Sequence, residues 1–241
     1  IRDVTHEEEV DRMKTEFIST VSHELKTPLT SMKGSLQLIL GRENKGSEME
    51  RELLRVCLRN TDRLIRLIND ILDISRIESG RVDFEMMPDS IEKIVSESID
   101  EITGFAKEHG VRVVQDLDPG LPPVFCNHDR LIQALTNLLS NAVKFSAAGN
   151  PVRVGVHREN GYLVVSVYDQ GETIDSRVQE KLFQRFPQLR GSNNGERGGT
   201  GLGLAICKEI IDRHHGRIYH RPGKDGGNIF CFTVPVHGEQ T

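Results

Sequence analysis

The sequence predicts an α+β chain in two modules, a helical hairpin over residues 17–80 and an α/β sandwich over 81–241, with residues 1–16 leading in. Three observations carry this reading. Apolar residues recur at spacings of three and four on both sides of the turn-rich stretch Gly41–Ser47, the pattern of two helices joined by a loop. Beyond Gly80 the period changes to two in stretches such as Pro151–Arg158 and Tyr162–Tyr168, joined at Asn160-Gly161, a hairpin signal. Helical runs lie among these stretches without strict alternation, which favours helices packed on one face of a mixed sheet.

Composition narrows the function classes. The 241 residues, 37% of them hydrophobic, are enough to bury a sizeable core. The 31 basic and 36 acidic residues leave a net charge of -5, so no basic field points to nucleic acid. Cys57, Cys126, Cys207 and Cys231 are scattered, mostly in apolar runs, and read as buried thiols of a reducing compartment rather than disulfides or metal ligands. No apolar run nears the roughly 18 residues of a membrane span and no signal peptide is visible, so a cytoplasmic location is expected. The chain starts at Ile1 without methionine, which is compatible with a sensor domain or membrane anchor upstream.

In the first module, Val10, Met13 and Phe17 open a helix whose apolar face continues through Met32, Leu36 and Ile39. Within it, Ser22–Leu29 (SHELKTPL) carries His23, followed at once by Glu24. Thr27 lies four residues on and shares a helix face with His23, whereas Phe17, Val21 and Leu25 point elsewhere. Pro28 removes a backbone donor and is expected to bend the helix. A second helix runs from about Glu48 to Ile77, with a heptad seam at Leu54, Cys57, Thr61, Leu64, Ile68, Ile71 and Ser75. Leu58, Ile65 and Leu72 form a stripe beside it. One hairpin cannot bury so broad a face, so a homodimeric four-helix bundle is expected; the alternative is a monomeric bundle completed by the second module.

The second module opens on an expected strand, Val82–Met86, and a helix, Ser90–His109, stopped by Gly110. Strands follow at Val111–Leu117 and Val124–Cys126, then a long helix, Asp129–Phe145, and the hairpin. A short helix is expected at Asp175–Gln184 and another at Gly201–His215, with closing strands at Gly216–His220 and Asn228–Val236.

Four stretches carry chemistry. Asn137, Asn141 and Lys144 recur at four and three on the long helix, so two amides and an ammonium line one stripe. An amide oxygen together with nucleotide phosphates suits magnesium, and Lys144 would balance phosphate charge; the same stripe also fits a solvated face. Asp169, in the strand-end sequence DQGET, offers an acceptor to an exocyclic amino group, although Asp and Gly also build ordinary turns. Gly198–Leu204 opens a helix with exposed backbone amides, which suits phosphate; it is neither a P-loop nor a dinucleotide fingerprint. Between Gln184 and Gly199, a Gly-, Ser- and Asn-containing stretch with Arg190 and Arg197 reads as a lid over nucleotide, or as a plain surface loop.

Assembled, these residues resemble the catalytic core of a bacterial sensor histidine kinase over nearly the whole chain. SHELKTPL matches the family's phosphoacceptor motif, NLLSNAVKF (Asn137–Phe145) its asparagine box, Leu182–Phe186 its phenylalanine box, and GTGLGL (Gly199–Leu204) its lid glycines. Ile1–Thr5 resembles the closing strand of a PAS sensor domain. The resemblance implies a dimeric helical-hairpin domain followed by an ATP-binding domain of the GHKL type, with residues 1–16 as a signalling helix from an upstream sensor. It implies ATP and Mg2+ as substrate and cofactor, and a response regulator receiver domain as partner.

On this resemblance His23 would be phosphorylated, Glu24 would be its acid–base partner, and Thr27 would position water in dephosphorylation of the partner. Asn141 would hold magnesium, with Asn137 and Lys144 near the phosphates. Asp169 would read adenine. Phe145, Gly171, Thr173, Phe183, Arg197, Gly199, Thr200, Gly201, Leu202 and Gly203 would shape the nucleotide pocket. Three departures stand out: Thr173 replaces a usual second glycine, Asn228 follows Gly226-Gly227 where serine or threonine is common, and Phe186-Pro187-Gln188 lacks an aromatic. A phosphatase-biased enzyme, or a catalytically weak nucleotide-binding scaffold, is therefore the alternative.

Overall fold

The computed structural model describes residues 21, 24–40, 48–78, 85–179, 181–184, 201–224 and 226–238. The chain divides into two compact units, Ile1–Asp73 with Arg190–Leu202, and Ile74–Leu189 with Gly203–Thr241. His23, Arg197, Gly199 and Thr200 lie outside the described residues, as does the Val82–Phe84 part of the expected first strand. Among the described residues no helix is long and apolar enough to cross a membrane.

In the first unit, helix α1 spans 24–40 and helix α2 spans Glu48–Glu78. Helix α1 runs on through Pro28, which is buried. The helices meet as an antiparallel pair. Asn60 Nδ2 donates to Ser31 Oγ at 3.4 Å, Cys57 Sγ to the Met32 carbonyl at 3.7 Å, and Arg63 Nη2 to Glu24 Oε2 at 2.8 Å.

The expected seam is split by the structure. Leu53, Cys57, Asn60, Leu64, Leu67 and Ile71 form the sheltered stripe, with Leu67 only 2% exposed, whereas Leu54, Leu58, Thr61, Ile65, Ile68 and Leu72 face outward. Both sets step by four and three, so each is a heptad stripe, and spacing alone does not say which of two adjacent stripes is covered. On α1, Ser35 is buried where Leu36 was expected, because the Cα rotation of one residue moves Leu36 off the contact face.

In the second unit, β1 (Met87–Asp89) pairs antiparallel with β3 (Val124–Cys126). The first strand thus lies later than Val82–Met86. Pro88 is tolerated there because β1 is an edge strand, paired with β3 on one side. A five-stranded mixed sheet has the order β2-β4-β5-β7-β6. Its strands are β2 (Val113–Leu117), β4 (Val152–Glu159), β5 (Tyr162–Asp169), β6 (Ile218–Pro222) and β7 (Asn228–Pro235), and only β2 with β4 is parallel. Asn160 and Gly161 join β4 to β5 at φ 48° and 80°, the two left-handed positions of a type I′ turn.

Helices α3 (Ile91–Glu108), α4 (His128–Phe145) and α6 (Gly203–Arg213) cover the sheet, and α4 packs against both of the others. Residues of period two supply the sheet's side of the core: Val154, Val167 and Phe230 stand in one row, Val156, Val165 and Phe232 in the next. Ser90 caps α3 by accepting from Lys93 N–H, and Asn127 caps α4 by accepting from Arg130 N–H. The expected helix Asp175–Gln184 shrinks to one turn, α5 (Ser176–Gln179), followed by a turn at 181–184. A four-residue helix closes too few backbone bonds to propagate.

Candidate functional site

The long helix α4 presents its polar stripe as the periodicity requires. Leu131, Leu135, Leu138, Leu139, Ala142 and Val143 are buried, while Asn137, Asn141 and Lys144 remain part-exposed. At one end of the stripe Gly203, the first residue of α6, lies against Asn137: a Cβ on Gly203 would sit 3.8 Å from the Asn137 amide carbon. At the other end, a Cβ on Gly171 would come within 2.8 Å of the Phe145 carbonyl oxygen and 2.9 Å of Asp169 Oδ1. Only glycine allows the loop after β5 to approach the end of α4 this closely. The asparagine-box helix and the Asp169 loop therefore border one site.

Asp169 closes β5 and is 2% exposed. Its Oδ1 accepts from Gly171 N–H at 2.8 Å and from Asn228 Nδ2 at 3.0 Å. No protein group bonds Oδ2 among the described residues, so one carboxylate oxygen is available to a ligand donor. Burial raises the Asp169 pKa, against the Asn228 and Gly171 bonds that favour the ionised form.

Asn228, directly across the ladder from Asp169, holds this corner together. Its Nδ2 also donates to the Glu172 carbonyl at 3.0 Å, and its Oδ1 accepts from Ile174 N–H at 2.9 Å and from His220 Nε2 at 3.1 Å. One amide thus brackets Thr173 on both sides. Thr173 itself is exposed and does not adopt positive φ, so the missing glycine imposes no backbone strain here. Burial lowers the His220 pKa, and its bond to Asn228 Oδ1 places the proton on Nε2. Gly227, at φ 74°, is also obligatory, since a Cβ there would meet the Asp169 carbonyl oxygen at 2.0 Å.

Phe183 packs edge-on against Phe230 at 6.4 Å between centroids, and Phe230 in turn contacts His220 at 5.1 Å. Gly201 has φ 73° and Leu202 is buried, each within the segment grouped with the first unit. In that unit Glu24 is ion-paired to Arg63, both about a quarter exposed (28% and 26%), and Thr27 is exposed on the same helix.

Asn228, His220 and Arg63 are the residues that sequence reasoning undervalued. Asn228 was visible only as a departure from a pattern. A histidine inside the apolar alternation of β6 was the one signal for His220. Among the described residues no three His, Cys, Asp or Glu side chains cluster to hold a metal, so a hard cation at α4 would rely on amide oxygen and ligand phosphates. The part-exposed amides of Asn137 and Asn141 fit that donor chemistry.

Comparison with known proteins places these features in context. Residues 126–238 match the family described as Histidine kinase-, DNA gyrase B-, and HSP90-like ATPase, and residues 13–80 match the His Kinase A (phospho-acceptor) domain. The sensor histidine kinase WalK of Bacillus subtilis is 35% identical over 242 residues, covering 100% of this chain and 39% of that protein. The chain thus spans about two fifths of that relative's length. Full-length ShkA in complex with AMPPNP is 26% identical, with a TM-score of 0.67 over 92% of this chain and 46% of that one. Histidine kinase ThkA in complex with response regulator protein TrrA shares the fold at a TM-score of 0.77, at 22% identity over 100% of this chain and 69% of that one.

Proposed function

Because the chain belongs to the sensor histidine kinase family, as its catalytic core, we propose that it binds Mg-ATP in the second unit, phosphorylates His23 and passes the phosphoryl group to an aspartate of a response regulator receiver domain. In this reading residues 1–16 are a signalling helix from an upstream sensor, 17–80 dimerise and carry the phosphoacceptor, and 81–241 bind nucleotide. The observation that carries it is the corner at the end of β5. There a buried aspartate keeps one oxygen unpaired, among the described residues, beside a glycine loop and the polar stripe of α4.

The chemistry follows from the residue types. Asp169 Oδ2 accepts the exocyclic amino group of adenine, Phe183 and Phe230 shield the site from water, and Lys144 with the Asn137 and Asn141 amides orients the phosphates. Asn141 would hold magnesium, which would supply positive charge to the nucleotide phosphates. A neutral His23 nitrogen attacks the γ-phosphorus in line, a P–N bond forms, and the bond to the β–γ bridging oxygen breaks with ADP as leaving group. Glu24 receives or stabilises the proton on the second imidazole nitrogen. Arg63, 2.8 Å from Glu24 Oε2, fixes the position of that side chain. Support for the partners comes from the phosphoacceptor-domain match, and from ThkA, alike in fold, which binds a response regulator.

Incubation of the full chain with γ-labelled ATP and magnesium tests this. Acid-labile, base-stable label that is lost in His23→Gln is expected. Nucleotide binding without label in the wild-type chain would instead identify a phosphatase or scaffold.

A further inference from the structure

The sheet face opposite the helices carries a groove that the proposed reaction does not use. Its floor is a single cross-strand row: Arg153 on β4 stands opposite Tyr168 on β5, Tyr168 opposite Ile229 on β7, and Ile229 opposite Arg221 on β6. Lys224 and Gln170 lie on the rim, around a volume of about 850 Å3. Tyr168 Oη donates to the Gly226 carbonyl at 3.3 Å, which fixes the β6–β7 turn beside the row. Gly223 is required in that turn, because a Cβ would lie 2.1 Å from the Gly226 carbonyl oxygen and 2.8 Å from the Tyr168 ring.

Three cations therefore line a groove in which none of the described lining residues is acidic, within a chain of net charge -5. Among the described residues none of Arg153, Arg221 and Lys224 is paired with a carboxylate. An aromatic and an aliphatic side chain flanked by guanidinium groups is the make-up of a protein-interface core, where Tyr and Arg are enriched. Three local cations are too few for the long cationic track that binds a nucleic acid backbone, and the net negative charge opposes a polyanion at longer range.

Spacing specifies the occupant further. Strands β4 and β6 are separated by β5 and β7, three inter-strand steps of roughly 4.8 Å, or about 14 Å in all. In an extended peptide, residues i and i+4 lie on one face about 13 Å apart, with i+2 midway between them. We propose that this groove docks an extended acidic segment of a partner protein. Carboxylates at i and i+4 meet Arg153 and Arg221, and an apolar side chain at i+2 rests on Tyr168 and Ile229.

The test is calorimetric titration of the full chain, without nucleotide, by a capped Glu-Ser-Leu-Ser-Glu peptide and by its Gln-Ser-Leu-Ser-Gln counterpart. The acidic peptide should bind about tenfold or more tightly than the neutral one, and the double variant Arg153→Gln/Arg221→Gln should lose that advantage. Arg153→Glu should prefer a peptide with one glutamate changed to lysine, which separates charge recognition from a loss of fold. Unchanged thermal unfolding and nucleotide affinity of the variants serve as the folding control. Equal affinity for both peptides, full binding by the double variant, no binding of either peptide, or tighter binding of a five-nucleotide single strand would each overturn the proposal. The readout needs no phosphoryl transfer, so it stands or falls separately from kinase activity.

Discussion

Asn228 links the sheet to the proposed nucleotide corner at the level of a single side chain. It donates to Asp169 and Glu172 and accepts from Ile174 and His220. Removing it leaves Asp169 buried with one donor fewer and two groups of the 171–174 loop unpaired, each costing about 1–3 kcal/mol when buried. Asn228→Ala should therefore weaken nucleotide binding by about tenfold or more and lower stability by roughly 2–3 kcal/mol, read by titration and urea unfolding. The pH dependence has a definite sign. Burial raises the Asp169 pKa, so its carboxylate is lost at a higher pH than an ordinary carboxyl as the solution is acidified. Nucleotide affinity should fall through that range, and Asn228→Ala should move the fall to higher pH still. Stability responds oppositely, since the cost of keeping Asp169 ionised is relieved below its folded pKa.

Elements are held to one another by a second polar cluster, away from the Asp169 corner. His128, at the start of α4, contacts Asp89 Oδ2 of β1 at 2.6 Å through Nδ1 and Glu97 Oε2 of α3 at 2.8 Å through Nε2. Burial opposes charge on His128, but the Glu97 and Asp89 bonds outweigh it and raise its pKa. Lys93 is the further charge nearby, 3.8 Å from Glu97 Oε1. A raised histidine pKa gives stability that is complete below its unfolded value of about 6.5 and is lost as pH rises through the folded value. Thermal unfolding between pH 6 and 9 should show that loss, about 1 kcal/mol or 2–4 °C, and His128→Gln should remove the slope. His214 is the contrasting case. It is fully buried, accepts from Asn127 N–H at 3.0 Å, donates from Nδ1 to the Ile210 carbonyl at 2.7 Å, and its pKa is lowered by burial.

For the molecule as a whole, the two stripes of α2 separate folding from association. Leu67 belongs to the sheltered stripe, and Leu67→Ala should destabilise the hairpin by about 2–4 kcal/mol without changing the oligomeric state. Ile65 and Ile68, 53% and 47% exposed, belong to the outward stripe that a second copy would cover in a four-helix bundle. Ile65→Glu/Ile68→Glu should convert a dimer to a monomer in sedimentation velocity while the second unit keeps its nucleotide affinity. A monomeric wild-type chain would remove this dimer proposal.

Much of this was legible in the sequence, for reasons that are local. Periods of 3.6 and 2 place helices and strands because side-chain direction repeats with the backbone, so Val124–Cys126, the α4 stripe and the Asn160-Gly161 turn are recovered to within a residue or so. The proposed roles of Asn141 and Asp169 likewise rest on residue type and spacing. Pairing across the fold is not local. Which of two adjacent heptad stripes on α2 is covered depends on the angle at which α1 meets it. That Asn228 opposes Asp169, that Gly171 must pass the end of α4, and that Arg153 and Arg221 bracket Tyr168 and Ile229 follow from strand order and register. Strand order and register come from the packing of distant segments, because a hydrogen-bond ladder accepts nearly any sequence until the core decides which face is buried.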